Sequence, residues 1–151
     1  MDQGVTTRTA TLNDLDAVAN LFDAYRQFYE QAPDLALATE FIRARMRNGE
    51  SVVLLALNSD EEAVGFCQLY PSFCSVEAKP IYVLYDLFVA PQGRRGGVGT
   101  ALLRAAEATA RANGKARMDL TTAKTNTAAQ AAYEALGWVR DEVFFAYSKP
   151  V

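Results

Sequence analysis

Histidine is absent from the 151 residues, which excludes Ser-His-Asp and Cys-His triads, histidine-liganded zinc and an imidazole general base. Cysteine occurs only at 67 and 74, within a segment that reads as extended chain. At about 3.3 Å per residue the two thiols lie beyond disulfide reach, so both are expected to be reduced and mostly buried. No run approaches 18 apolar residues, and the opening MDQGVTTRTA lacks the basic, apolar, small-residue order of a signal peptide. A soluble, cytoplasmic protein away from membranes is expected. Positive charge is also short, with 15 basic against 18 acidic side chains and a net charge of −3. That balance removes the phosphate attraction nucleic-acid binders rely on, so no nucleic-acid partner is expected. No metal is expected either, and the chemistry is left to carboxylate, tyrosine, backbone and water.

What is present fits one domain over residues 1–151, half of them hydrophobic. Val5 to Thr9 reads as a strand. Thr11-Leu-Asn-Asp14 resembles a capping box and opens a helix with apolar positions at Leu15, Val18, Phe22, Tyr25 and Tyr29. Pro33 and Asp34 break it, and a second helix is expected from near Leu37 to Asn48-Gly49, with Arg43, Arg45 and Arg47 on a solvated face. Ser51 to Leu57 and Ala63 to Tyr70 read as a hairpin. Ile81 to Ala90 (IYVLYDLFVA) is the most apolar segment, a strand buried on both faces near the sheet centre. A helix follows from Val98 to Asn113-Gly114, then a strand over Met118 to Thr122. Next comes a helix from Asn126 to Gly137 with Ala129, Ala132, Tyr133 and Leu136 on one face. Trp138 to Ser148 has strand composition, interrupted near Asp141-Glu142. The order β-α-α-β-β-β-α-β-α-β implies an α/β (α+β) fold with a mixed sheet, since hairpins come first and helical crossovers later.

Between Asp86 and Glu107 no acidic residue occurs, and the stretch contains Gly93-Arg94-Arg95-Gly96-Gly97-Val98-Gly99-Thr100. Strand, glycine-rich loop and helix start together present backbone N–H groups to an anion, and the two arginines add full charge. A P-loop is excluded because no lysine lies between Lys79 and Lys115, and a dinucleotide fingerprint fails at Leu102.

The pattern Arg94-x-x-Gly97-x-Gly99, preceded by Phe88-Val89-Ala90-Pro91 and followed by Thr100-Ala-Leu-Leu103, resembles the R/Q-x-x-G-x-G/A loop of the GNAT superfamily of acyl-CoA-dependent N-acetyltransferases. Asn126, Tyr133-Glu134 and Leu136-Gly137-Trp138 resemble its second signature, with Trp138 where phenylalanine is customary. The resemblance implies the GNAT fold and acetyl-CoA as cosubstrate. It implies that N–H groups from Arg95 through Gly96, Gly97, Val98 and Gly99 to Thr100 hold the pyrophosphate with Arg94 as a charged aid. The pantetheine arm would pair with the strand edge at Phe88 and Val89, and Asn126 would contact its amides. The Val89 N–H would stabilise the oxyanion.

Tyr133 is the candidate leaving-group acid, because a phenol with pKa of about 10 is protonated at neutral pH and can donate to a thiolate. Packing in the core is its other reading. Asp86 is the only charge between Ile81 and Ala90, a costly position for a carboxylate that has neither partner nor function. Strand alternation puts it on one face with Tyr82, Leu84 and Phe88. Ile81 to Val89 looks most like the polyamine N-acetyltransferase branch, where a Glu-Asp pair stands. Here Tyr85 occupies the Glu position. Asp86 is therefore expected to bind the acceptor ammonium or take its proton through water, or else to hydrogen-bond structurally. Tyr25, Tyr29 and Tyr85 are expected to line an aromatic acceptor pocket with it. The function expected is transfer of an acetyl group from acetyl-CoA to a primary amine of a small molecule or peptide, by direct attack in a ternary complex. An acetyl-CoA-binding sensor without turnover is the alternative. Val143 to Tyr147 is apolar for a chain end and suggests a homodimer.

Overall fold

The computed structural model describes residues 4–151, in two compact units, one ending at Leu120 and the other Thr121–Val151. The first is built on a five-stranded mixed sheet in the spatial order β1-β2-β3-β4-β5. Its strands are β1 (Thr6–Thr9), β2 (Val52–Leu57), β3 (Ala63–Cys74), β4 (Lys79–Val89) and β5 (Met118–Asp119). The first four form antiparallel pairs, and β5 joins β4 in parallel.

Helices α1 (Leu15–Phe28) and α2 (Leu35–Arg47) separate β1 from β2. A 3-10 turn, Leu12–Asp14, leads into α1. Both Arg8 guanidinium nitrogens donate to Asp14 at 2.8 Å, and the Thr11 N–H donates to it at 2.8 Å. The Arg8 hydrogen bond is the main cause holding the Asp14 pKa down, to about 2. Helix α2 begins two residues earlier than expected because Asp34 caps it, its Oδ1 accepting the Leu37 N–H at 3.1 Å. Of the three arginines expected on a solvated face, Arg45 lies 4.5 Å from the centre of the Phe41 ring and pairs with Glu50.

Phe66 is fully buried and packs edge-on against Phe22, their ring centroids 6.3 Å apart. It belongs to a cluster with Val18 and Leu21 of α1, Ala38 and Ile42 of α2, Val53 and Leu55 of β2, and Phe88 of β4. Its neighbour Gly65 points the other way. A Cβ there would lie 2.9 Å from Val98 Cγ1 and 3.0 Å from the Phe88 carbonyl oxygen. Helix α3 (Val98–Ala112) thus covers the opposite face, presenting Val98, Leu102, Leu103, Ala106 and Ala110 as its buried stripe. The absent side chain at Gly65 lets the start of α3 approach the sheet closely.

One expectation about β4 is overturned. Gln68 pairs with Asp86 but Leu69 pairs with Leu84, so Tyr85 is an extra residue forming a β-bulge. The bulge shifts the alternation. Phe88 joins the α1/α2 core, whereas the Tyr82 hydroxyl accepts from Asn113 at the end of α3 at 2.7 Å. Asp86 and Phe88 therefore do not share a face with Tyr82.

The β3–β4 hairpin extends to Cys74, beyond the expected Tyr70. Both cysteines are free, Cys67 buried and Cys74 half-buried. Burial is the first cause pushing the Cys67 thiol up to about 12. Strand β5 is only two residues long and meets β4 at Tyr82 and Val83. Among the described residues no helix is long and apolar enough to cross a membrane.

The second unit holds α4 (Thr127–Ala135), capped by Asn126, whose Oδ1 accepts the Ala129 N–H at 3.2 Å. It ends in a Schellman motif: the Trp138 N–H reaches the Tyr133 carbonyl at 3.1 Å and the Gly137 N–H that of Glu134 at 3.1 Å, with Gly137 at φ +92°. Ala129, Tyr133 and Leu136 are half-buried as expected, but Ala132 is exposed. Trp138 to Ser148 forms no strand. Asp141 accepts the Val143 N–H at 2.9 Å and Arg140 pairs with Glu142, local contacts that compete with an extended ladder.

Candidate active site

The basic loop leaves β4 through a 3-10 turn, Pro91–Gly93. Gly93 is buried, and a Cβ on it would lie 2.9 Å from Val64 Cβ, which seats the turn against β3. Arg95 has φ +68° and Gly97 φ +77°, so the backbone twists through left-handed conformations before α3. Gly97 is the N-cap and offers no side-chain acceptor, while its carbonyl receives the Ala101 N–H at 3.0 Å. The N–H groups of Val98, Gly99 and Thr100 consequently have no intrahelical acceptor, and no acidic residue occupies the first turn. Arg94 through Thr100 are thus brought together at a helix start whose free N–H groups and positive charge suit an anion. Val98 is also buried, and its side chain anchors α3 against Gly65.

At the end of β4 the Ala90 N–H bonds to the Val64 carbonyl at 2.8 Å. Ladder alternation then directs the Val89 N–H and C=O toward the opposite edge, where the Val89 carbonyl accepts from Arg94 Nε at 3.1 Å. Among the described residues β5 pairs with that edge only at Tyr82 and Val83. The chemistry fits acetyl-CoA, with donors and charge for its phosphates at the loop and an unladdered strand edge for its amide-bearing arm. Phe88 contributes backbone there, while its buried ring sits 6.1 Å from that of Tyr25.

On the α1/α2 side of the sheet lies a cleft of about 290 Å³, lined by Phe22, Tyr25, Arg26, Tyr29, Gln31, Phe41, Tyr70, Tyr85 and Asp86. The bulge explains why two successive β4 residues, Tyr85 and Asp86, both face it. Asp86 is only 5% exposed. Its Oδ2 accepts from Gln68 Nε2 at 2.7 Å, and Gln68 Oε1 accepts from the Ser51 hydroxyl at 2.8 Å. Burial raises the Asp86 pKa, opposed by hydrogen bonds from Gln68 and Tyr25. The Tyr25 hydroxyl also lies 3.5 Å from the Tyr85 carbonyl, and burial followed by the Asp86 charge pushes its pKa well up. Tyr70 is pushed up to about 12, first by burial, and its ring meets that of Tyr85 edge-on at 5.5 Å. Tyr29 meets Tyr25 in the same way at 5.1 Å. The cleft combines one buried carboxylate with the phenols of Tyr25 and Tyr70, both held protonated by burial.

Asp86, Tyr25, Tyr29 and Tyr85 are therefore gathered in one cleft as expected, and Val89 with Arg94 to Thr100 form the neighbouring strand end and loop. Asn126 and Tyr133 belong to the second unit. Tyr133 occupies the last turn of α4, its ring 6.1 Å from that of Trp138, so the Tyr-Glu-x-x-Gly-Trp run is also a helix-ending device. Sequence reading missed Gln68, Ser51, Tyr70, Phe41 and Arg26. A polar Gln68 amid AVGFCQLY, opposite the only acidic residue of β4, was the available signal; nothing marked Arg26. Among the described residues no group of three His, Cys, Asp or Glu side chains could hold a metal ion.

A sheet with helices on both faces, an anion-binding glycine loop after the fourth strand and an acidic aromatic cleft define an acyl-CoA-dependent transferase. The family model described as acetyltransferase (GNAT) family matches residues 15–138, and the chain belongs to that family. Its activity is transfer of an acetyl group from acetyl-CoA to an amine. The chain is 46% identical over 140 residues to the uncharacterized N-acetyltransferase YhfO of Bacillus subtilis (strain 168), covering 93% of each chain. It is 33% identical over 116 residues to an aminoglycoside N(6')-acetyltransferase type 1 of Klebsiella aerogenes, covering 74% of each. A crystal structure of a probable acetyltransferase superposes with a TM-score of 0.91 at 39% identity, covering 97% of both chains.

Proposed function

We propose that the cleft beneath α1 and α2 takes the primary amine of a small acceptor, and that Asp86 binds this amine and receives its proton, directly or through water. The buried Asp86 carboxylate at the floor of an aromatic cleft carries the reading, because burial makes it a better base than an ordinary aspartate. Tyr25, Tyr29 and Tyr85 surround the acceptor. N–H groups from Arg95 to Thr100, with Arg94, bind the pyrophosphate, and Phe88, Val89 and Asn126 bind the pantetheine arm. The Val89 N–H donates to the thioester carbonyl oxygen, and Tyr133 protonates the departing sulfur. Acetyl-CoA supplies an acyl group already activated toward amines, so the proposed transfer uses no metal and no covalent enzyme adduct.

The two units act together as one catalytic domain in this proposal, supported by a family match that runs through the boundary at Leu120. The likeness of Ile81 to Val89 to the polyamine branch puts polyamines among the acceptors to test. A cytoplasmic homodimer is also proposed, the exposed Val143, Phe144, Phe145 and Tyr147 being apolar surface for a second copy. The test follows free thiol release from acetyl-CoA with polyamines, amino acids, aminoglycosides and lysine peptides. Amine-dependent release that Asp86→Asn lowers by about 10²-fold or more supports the proposal. Release no faster than hydrolysis with every amine would instead indicate an acetyl-CoA sensor.

A further inference from the structure

Arg26 lines the same cleft as Asp86. Its Nη1 is buried without a hydrogen-bond partner, the only such side-chain nitrogen or oxygen among the described residues. Acidic groups stand at helical spacing from it, yet they are used elsewhere or not at all. Asp23 receives Gln27 Nε2 at 3.1 Å and the Asp34 N–H at 2.9 Å. Glu30 lies beyond the end of α1 in a left-handed conformation, φ +66°. None of the ion pairs among the described residues includes Arg26. Asp86 has Gln68 and Tyr25 as its hydrogen-bonding partners. The cleft therefore holds a carboxylate and a guanidinium that do not neutralise one another.

We infer that the acceptor is a small amino-carboxylate, its amine taken by Asp86 and its carboxylate by Arg26. A buried guanidinium nitrogen without a partner is costly, and a planar carboxylate matches its fork of donors. A polyamine would bring further positive charge toward Arg26, whose Nη1 is already buried without a partner, and like charges repel more strongly beside a desolvated group than in bulk water. At about 290 Å³ the cleft falls just below the roughly 300–1,000 Å³ of drug-sized ligand sites, room for a small amino-carboxylate. The Tyr70 hydroxyl, held protonated chiefly by burial, is a donor suited to a carboxylate oxygen.

This inference rests on the cleft being the acceptor site, and the experiment separates the two. Initial rates of thiol release are measured for the wild type, Arg26→Gln and Arg26→Lys. The acceptors are L-amino acids, β-alanine and 4-aminobutyrate, each beside its carboxamide and its decarboxylated amine, with putrescine and kanamycin added. At least one amino-carboxylate is expected to exceed its carboxamide in kcat/KM by about tenfold or more, chiefly through KM. Arg26→Gln brings that ratio close to one, and Arg26→Lys restores part of it. The ratio is internal to each variant, so partial unfolding cannot mimic the effect. Carboxamides, putrescine or kanamycin turning over as well as the amino-carboxylates, or an unchanged ratio in Arg26→Gln, overturns the inference and leaves the acceptor cleft standing. Absence of amine-dependent release with the whole panel refutes both.

Discussion

Gly99 offers a way to separate what the fold requires from what the cosubstrate requires. It is the second residue of α3, its φ is not in the left-handed region, and a Cβ on it would meet only Val89 Cγ2, at 3.9 Å. Nothing in the packing demands glycine there. Glycine costs about 0.8–1 kcal/mol relative to alanine in a helix interior, and less in the first turn. Gly99→Ala should therefore stabilise the protein by up to about 1 kcal/mol, or about 2–4 °C in Tm for a chain of this size. The proposed return on that cost is close approach of a phosphate to the N–H groups of Val98, Gly99 and Thr100. A methyl group in this place should raise the KM for acetyl-CoA by about tenfold, equivalent to losing one charge-assisted hydrogen bond of roughly 1.4 kcal/mol. Gly65→Ala provides the contrast. Its Cβ would come within 2.9 Å of Val98 Cγ1 and 3.0 Å of a backbone oxygen, and overpacking of this kind costs about 1–3 kcal/mol. Thermal melts and initial rates on both variants decide the matter. A Gly99→Ala protein that melts lower than wild type refutes the packing argument, and one with an unchanged KM for acetyl-CoA refutes the phosphate argument.

Asp86→Asn should raise Tm at neutral pH while lowering turnover. The folded state raises the Asp86 pKa above its ordinary 3.8, so it contributes stability that is fully present below 3.8 and lost as pH rises through the raised value. Melts across that range should show the variant gaining on wild type as pH increases; a constant difference would contradict the burial argument. Tyr133→Phe keeps the ring against Trp138 but removes the hydroxyl, so kcat should fall about 10²-fold or more with acetyl-CoA affinity changed only a few-fold. Unchanged turnover would remove Tyr133 from the proton path. Asp14 has the opposite linkage to Asp86: its pKa is lowered from 3.8 to about 2, so its stabilisation is present above 3.8 and lost as pH falls through about 2. Solvent screens the exposed Arg8 side of the pair, so the contribution should be small. Arg8→Ala should remove this acid-side slope in chemical denaturation, and an unaltered slope would show the pair to be inconsequential.

Much of the fold was legible because its signals are local. Thr11-x-x-Asp14 marks a helix start, Asn113-Gly114 the end of α3, and Asn126 and Gly137 the two ends of α4. The anion loop was legible for the same reason, since its chemistry lies in contiguous residues. Asp86 stood out because a charge in an apolar strand demands a cause. Its pairing with Gln68, and the Ser51 hydroxyl behind Gln68, follow from the strand register, which periodicity does not reveal. Arg26 looked like any polar residue on an amphipathic helix, and its unpaired state exists only once α1 packs over the sheet. Asp34 read as a breaker because a capping residue and a turn residue share the same preference for non-helical backbone. The C-terminal segment had strand composition, but composition cannot supply a ladder when Asp141 and Arg140 form local contacts instead.

The bulge at Tyr85 makes β4 dependent on the number of its residues as well as on their kinds. Before Tyr85 the strand directs Tyr82 toward the end of α3; after it, Asp86 and Phe88 turn toward α1 and α2. Replacing Tyr85 by another residue would alter the cleft wall and leave this phase intact. Deleting it would restore strict alternation, so Asp86 and Phe88 could no longer face α1 while Tyr82 keeps its place. The cleft is thus more vulnerable to a lost codon than to a miswritten one.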